Sequence, residues 1–420
     1  MANLEHINFG PWREFPVGTT FSWETDPTTA QITGLPQIFW ENGESWAEVN
    51  IWAINKLDTQ KCHIETAKAL MQHLLSYACY LEDKLLDWRH FPIRSSKRAI
   101  VLFRGHLINQ IKIGALAPST ARARMSAVVQ FYRFSESQSF ISPSNPMWRE
   151  KSVVVKYYDS AGFQRAISRA STDLAIPNRS IAGIRLEDGL TPLSNNHMDE
   201  LLSFIAKNET HELHLLLMIG FFTGARLCTI STLRIEDLEN ATPDPYMENI
   251  YLIRVGPGTT VKTKFDVEGD LLVPQNLLKE LKSYAYSTER LKREAKALHA
   301  NKSTLFLTTH GKPYNRNTVG VLMSSLRKRA LLANLNYMKN FKFHQTRATY
   351  GTWMMKLSLG VTSTGAAIEF VKSAMHHKHE STTFRYVKFL ESTKGKQEAA
   401  KAFNEAFTGL ERRNWDDFQA

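Results

Sequence analysis

Residues 213–226 read LHLLLMIGFFTGAR, an apolar run that ends abruptly on a polar tetrapeptide. The stretch from Leu215 to Phe222 falls well short of the roughly 20 residues a membrane span needs, so it predicts a helix buried inside a protein core. Thr223–Gly224–Ala225–Arg226 then sets a permanently charged guanidinium at the end of that core. Planar guanidinium forks are the side chains best suited to holding an anion such as a phosphate.

Working outward, a helix is expected from Ser194 to about Lys207, a buried one from Leu213 to Gly224, and another from Arg226 to Leu238. Ile250–Val255, Thr260–Phe265 and Asp270–Pro274 read as three short strands, punctuated by Gly256–Pro257–Gly258 and by Val267–Glu268–Gly269–Asp270. The remainder reads as helix. Upstream, Ile64, Ala67, Leu70, Met71, Leu74, Leu75, Ala78, Leu81 and Leu85 recur at three and four, the spacing of an amphipathic helix. Further helices are expected from Ser96 to about Ile113 and from Pro118 to Phe134, so the region to about Tyr158 reads as all-helical. The fold class is therefore mainly α with a small β-sheet.

The chain has 420 residues, too many for one core, since single cores stop growing at about 250–300 residues. Five units are expected: a Trp-rich leader of irregular or short-stranded structure at 1–60, a helical domain at 61–175, a linker at 176–192, an α+β domain at 193–392, and a C-terminal helix or tail at 393–420. A hydrophobic content of 43% excludes a disordered chain. Lys and Arg number 52 against 41 Asp and Glu, a net charge of +11 that points to a polyanionic partner. The three cysteines, Cys62, Cys79 and Cys228, form no CxxC pair, so neither a disulfide framework nor a thiolate zinc site is suggested. The first residues, MANLEHINFG, lack the basic head and apolar core of a secretory signal, and no membrane partner is expected.

The polar residues of the second half repeat one chemistry. His344–Gln345–Thr346–Arg347 opens a helix with an imidazole and a guanidinium three residues apart, on the same side. His376–His377–Lys378–His379 precedes Tyr386. A phosphodiester attack builds negative charge on non-bridging oxygens, which Arg226 and Arg347 would stabilise, while imidazoles donate to the same oxygens or handle a proton. A phenol is a suitable nucleophile because phosphotyrosine retains the bond energy for a reverse attack. On one unbroken helix His377 and Tyr386 would face opposite ways, so a break is required between them, with Ser381–Thr382–Thr383 as the expected cap of the second helix.

TGAR at Thr223–Arg226, HQTR at His344–Arg347 and the His377–Tyr386 segment together resemble, in order and spacing, the three boxes of the tyrosine recombinase (phage integrase) family. The 61–175 region, with APSTARARMSAVVQFYRF, is similar to that family's core-binding, DNA-clamping domain. The resemblance implies that Arg226, His344, Arg347 and His377 hold the scissile phosphate of double-stranded DNA. Tyr386 would attack it, giving a 3′-phosphotyrosyl link and a free 5′-hydroxyl without metal, ATP or other cofactor. It implies a lysine general acid on a β-hairpin, for which Lys262 and Lys264 are available and Lys264, nearer the turn, is preferred.

Three positions depart from the family pattern: Thr229 stands for an acidic residue, Gln345 for the common aspartate and His376 for the glycine before the third-box histidine. The implied activity is site-specific recombination by a homotetramer on synapsed sites, through a Holliday junction, with accessory DNA-bending or directionality factors and a cytoplasmic, nucleoid-associated location. The C-terminal segment would pass between protomers. Lys97, Arg98, Arg104, Arg122 and Arg124 are the expected phosphate contacts of the helical domain. A type IB topoisomerase and a DNA-binding protein without activity are the competing readings. The HHKH cluster as a transition-metal site is the weaker alternative for that segment.

Overall fold

The computed structural model describes residues 1–17, 20–26, 31–158, 164–177, 186 and 189–411. The chain divides into two compact units, Met1–Lys156 with Ala166–Ile181, and Tyr157–Arg165 with Ala182–Ala420. No described helix is long and apolar enough to cross a membrane.

The first unit begins with β1 (Asn3–Phe9), β2 (Trp12–Val17), β3 (Thr20–Thr25) and β4 (Ile32–Phe39). The first pairs antiparallel with the fourth, Asn3 opposite Phe39, and the second with the third, Trp12 opposite Thr25. Helix α1 (Ala47–Asp58) follows, a helix that the Trp-rich reading of 1–60 passes over. Its signal is the spacing of Trp46, Val49, Trp52 and Ala53, all buried in one core with Leu35 and Ile38 of β4 and with the helices downstream. Asn50 ties the helix to the sheet: its side chain accepts from Ile38 N and donates to Ile38 O.

Helices α2 (Ile64–Asp83), α3 (Ala99–Lys112) and α4 (Pro118–Ser137) complete this core. Tyr77 and Tyr132 meet hydroxyl to hydroxyl at 2.7 Å, and Tyr132 passes its hydrogen bond to Trp88 O. The all-helical reading to Tyr158 is corrected here. Residues 150–172 form β5 (Glu150–Tyr158) and β6 (Gln164–Thr172), paired as a two-stranded ribbon. Three successive β-branched residues, Val153 to Val155, favour strand over helix. Most of the expected linker, 176–192, lies outside the described residues.

In the second unit α5 (Asn195–Asn208) is capped by Ser194, whose hydroxyl accepts from His197 N. Helix α6 (His211–Thr223) is the apolar run, sunk in the core along its length. The expected helix over 226–238 is two, α7 (Leu227–Thr232) and α8 (Ile235–Glu239). They separate because Leu233 and Arg234 leave the helix to pair with the chain at 303–305: Leu305 N donates to Leu233 O and Ile235 N to Ser303 O.

The sheet is β7 (Thr242–Pro243), β8 (Ile250–Val255) and β9 (Gly269–Pro274), antiparallel in that order, with Ile250 opposite Pro274 and Val255 opposite Gly269. The expected middle strand, Thr260–Phe265, is instead part of the connection from β8 to β9. Gly256 turns at a φ of 99°, and the hydroxyl of Thr259 caps the turn on Gly256 O. Val261 is buried, and Phe265 and Asp266 both take positive φ. A strand is incompatible with that backbone.

The rest is helical: α9 (Gln275–Ala285), α10 (Thr288–Glu294), α11 (Arg316–Leu332), α12 (Gln345–Val361), α13 (Thr364–Ala374) and α14 (Glu380–Glu411). The last carries Tyr386 and the expected C-terminal segment as one continuous helix; residues 412–420 lie outside the described residues. Fully buried Arg290 knits α10 to the loop before α11 through Leu305 O at 3.3 Å and Thr304 O at 2.9 Å.

Candidate active site

Three short segments distant in sequence converge in the second unit. The first is the end of α6. Gly224 closes that helix in the left-handed region, at φ 65°, and a Cβ there would lie 2.3 Å from the ring of Tyr350 on α12. Only glycine satisfies both demands. Thr223 supports the turn, its hydroxyl donating to Ile219 O and accepting from Ala225 N. The chain then turns into α7, with half-buried Arg226 at its N-cap.

The second segment opens α12. Helices α6 and α12 cross closely at Gly220, where a Cβ would stand 2.4 Å from Thr346 Oγ1. That approach brings Arg347, 1% exposed, beside the first segment. Its Nη1 donates to Gly224 O at 2.6 Å and its Nη2 to Met375 O. One guanidinium thus ties the first segment to the third. His344 sits half-buried at the N-cap of α12, one turn before Arg347. Gln345, which departs from the family's aspartate, is a staple: its carbonyl oxygen accepts from Lys342 N and its amide donates to Thr191 O.

The third segment, residues 375–379, joins α13 to α14 and supplies the break required between His377 and Tyr386. The new helix starts at Glu380, one residue earlier than the expected Ser381–Thr382–Thr383 cap. Thr383 has another partner: its Oγ1 lies 2.8 Å from His377 Nδ1, both side chains buried. The His377 ring stacks on Tyr386. Tyr386 is fully buried, its ring seated against Gly351 of α12, where a Cβ would come 2.6 Å from Cε1.

His376 presents the second imidazole. Its backbone is left-handed, φ 49°, at the position where the family has glycine. Its ring packs on Gly269 of β9, and its Nε2 is buried without a hydrogen-bond partner among the described residues. Burial, with the charges of Arg347 and Arg226 adding to it, pushes its pKa down to about 4, so it is neutral near pH 7. Its carbonyl accepts from Arg226 Nη1 at 3.4 Å. The two imidazoles thus face different neighbours, His377 toward Tyr386 and His376 toward the sheet.

Lys262 and Lys264 are both exposed on the β8–β9 connection, not on a strand. The backbone N–H of Lys262 is held by Thr232 Oγ1 at 2.9 Å. The Lys264 ammonium lies 4.9 Å from the ring centroid of Phe265, and that of Lys378, the residue after His377, lies 6.0 Å from the same ring. Exposed Phe265, which the sequence reading passes over, therefore joins the lysine loop to the third segment. Among the described residues no group of three or more His, Cys, Asp or Glu is placed to hold a metal ion, the HHKH cluster included.

In the first unit Arg98 requires correction as a DNA contact. It is buried, its guanidinium spent on the carbonyls of Pro92, Pro146 and Ile93. Arg104 is half-buried and donates from Nε to Leu174 O, while Lys97 and Arg122 are exposed and Arg124 half-buried.

Residues 192–393 match the model of the phage integrase family. Among solved structures, the Tn1549 transposon integrase in complex with transposon right end DNA aligns over 83% of this chain and 98% of its own, at 13% identity and a TM-score of 0.49. The XerH site-specific recombinase bound to its difH substrate aligns over 81% and 85%, at 15% identity and a TM-score of 0.45. A lambda integrase dimer bound to a COC′ core site aligns over 81% and 94%, at 11% identity and a TM-score of 0.46. No curated protein matches the sequence. Over residues 192–393 the chain is thus similar to the phage integrase family of tyrosine recombinases.

Proposed function

We propose that the chain is a site-specific DNA recombinase of a mobile element and that Tyr386 is its nucleophile. The phenolate oxygen attacks the scissile phosphorus as the bond to the 5′ oxygen breaks. The protein is left on the 3′ phosphate and the 5′ oxygen takes a proton to become a hydroxyl. Arg226, Arg347, His344 and His377 bind the charge that grows on the non-bridging oxygens. Lys264 delivers the proton to the 5′ oxygen, with Lys262 as the other candidate. The reverse attack by a 5′-hydroxyl from a second duplex joins the strands anew.

The observation that carries this reading is the Arg347 guanidinium, which binds Gly224 O of the first segment and Met375 O of the third. A planar guanidinium fork held at the junction of both segments is the group best suited to binding the oxygens of a phosphate there. The first unit would clamp the duplex through Lys97, Arg122 and Arg124, and four protomers would act together, aided by accessory DNA-bending proteins. Tyr386 is fully buried in the structure, so attack includes a rearrangement that brings the phenol to the phosphate.

Covalent trapping tests the reading. Wild-type and Tyr386→Phe proteins are incubated, without metal or ATP, with nicked duplexes spanning the ends of the resident element. An SDS-resistant protein–DNA band in wild type alone is the expected result. A band that persists in Tyr386→Phe, or no band from wild type that still binds the duplex, overturns it. Sedimentation on DNA distinguishes a tetrameric recombinase from a topoisomerase acting as a monomer.

A further inference from the structure

The β5–β6 ribbon rises from a firmly rooted base. Met147 and Leu174, at its two ends, are buried in the first unit's core. Arg149 N donates to the Asp173 carboxylate and Asp173 N to Arg149 O, closing the base. Glu150 is paired there with Arg133, whose Nη2 donates to both carboxylate oxygens at 2.8 and 2.9 Å, and accepts from Trp148 Nε1.

Beyond that base residues 151–154 and 166–170 of the ribbon are exposed. Val153 and Val154 are consecutive, so they point to opposite faces, yet they are 47% and 60% exposed, and Ile167 on the other strand is 44% exposed. Among these described residues neither face is covered. A two-stranded ribbon standing alone is marginally stable in water, because it buries no apolar face. Three features indicate what covers it. The side chains from 152 to 154 and 166 to 171 are Ser, Val, Ala and Ile with one Arg, which keeps the ribbon slim. Exposed Lys151 and Arg169 flank it, and its sequence carries Lys156 and Arg165 besides, with Asp159 as the only acid after the paired Glu150. Ser152 and Ser168 hydroxyls, bonded to each other across the strands, are groups that also exchange hydrogen bonds with base edges.

A duplex major groove, about 12 Å wide, admits a two-stranded β-ribbon. We infer that β5–β6 is a DNA-contact element of this recombinase, seated in a groove of the duplex with Lys151 and Arg169 on the flanking phosphates and the small side chains toward the bases. The inference rests on the proposal that the chain acts on duplex DNA, but not on Tyr386. It adds a contact that the basic helices do not provide, on an element absent from the sequence expectation of an all-helical domain.

The test is a binding titration of the full chain on a short mixed-sequence duplex over a range of salt concentrations. In Lys151→Ala/Arg169→Ala the slope of log K against log salt should become shallower by about 1.8, about 0.9 for each phosphate no longer neutralised. Replacing residues 152–170 by a short Gly-containing turn should flatten it at least as much. Arg13→Ala/Lys61→Ala, exposed cations of the same unit, serves as the charge-matched control and should leave the slope within about 0.5 of wild type. An unchanged slope in the ribbon variants overturns the inference, as does an equal change in the control. A ribbon variant that binds DNA as wild type does but sediments differently without DNA would show that a second copy of the chain occupies the ribbon. Failure of the tyrosine reading would appear only in the adduct assay, leaving these titrations to stand by themselves.

Discussion

The phenol of Tyr386 lies over the imidazole of His377, ring centroids 6.1 Å apart and planes inclined by 24°. Nine residues separate them, a spacing that puts two side chains on opposite faces of an unbroken helix. The short connection between α13 and α14 removes that conflict, and Thr383, in the first turn of the new helix, fixes the imidazole from below.

Thr383→Val removes the partner of His377 Nδ1 while nearly preserving volume. Single-turnover adduct formation should slow about 10–100-fold, the usual cost of losing a group that orients a functional histidine. Thr383→Ser, which keeps the hydroxyl, should recover most of the rate. Equal rates in all three proteins would show that the Thr383 bond plays no part in the chemistry.

Arg347→Lys should abolish more than a charge difference suggests. Lysine keeps the cation but cannot bridge Gly224 O and Met375 O while facing a phosphate. Cleavage should fall about 10²–10³-fold, with duplex affinity changed far less, as measured by adduct yield against binding isotherms.

Gly351→Ala would set a methyl 2.5 Å from the Met375 sulfur and 2.6 Å from the Tyr386 ring. Overpacking of this kind costs about 1–3 kcal/mol, which a urea titration would register as a lower midpoint at unchanged slope. The same change displaces the Tyr386 ring, so, if Tyr386 acts as proposed, cleavage should decline at temperatures where the variant remains folded.

His376 makes stability depend on pH. Its folded pKa, about 4, lies below the ordinary 6.5, so the unfolded chain binds the proton more readily. The contribution is complete above pH 6.5 and drains away as the pH falls toward 4. In His376→Gly, which also suits the left-handed backbone, the acid limb should be flatter by about 1–3 kcal/mol across that interval. Parallel acid limbs in urea titrations of the two proteins would refute the assignment.

The parts of the site legible in sequence are those that are local. TGAR ends a wholly apolar helix, HQTR begins one, and the His377–Tyr386 spacing demands a break, so each can be read within a few residues. What escaped depends on partners far along the chain. Arg98 looks like one more cation on a basic helix until Pro146 O, 48 residues away, takes its Nη1. Thr260–Phe265 alternates as a strand would, but the Gly256–Pro257–Gly258 turn and the left-handed Phe265 and Asp266 forbid one. The β5–β6 ribbon was hidden for the converse reason. Its residues 151–154 and 166–170 are exposed on both faces, so they lack the one-sided burial that marks a strand in sequence, and only the run of valines betrays it. Helix α1 carried its apolar spacing openly, beneath a composition rich in Trp, Gly and Pro that suggests turns.

The bonds of Arg347 reach back 123 residues to Gly224 and forward 28 to Met375. The three segments therefore cannot be joined until synthesis has passed Met375, long after the first unit has left the ribosome. The convergence of the three segments is thus among the last arrangements this chain can form.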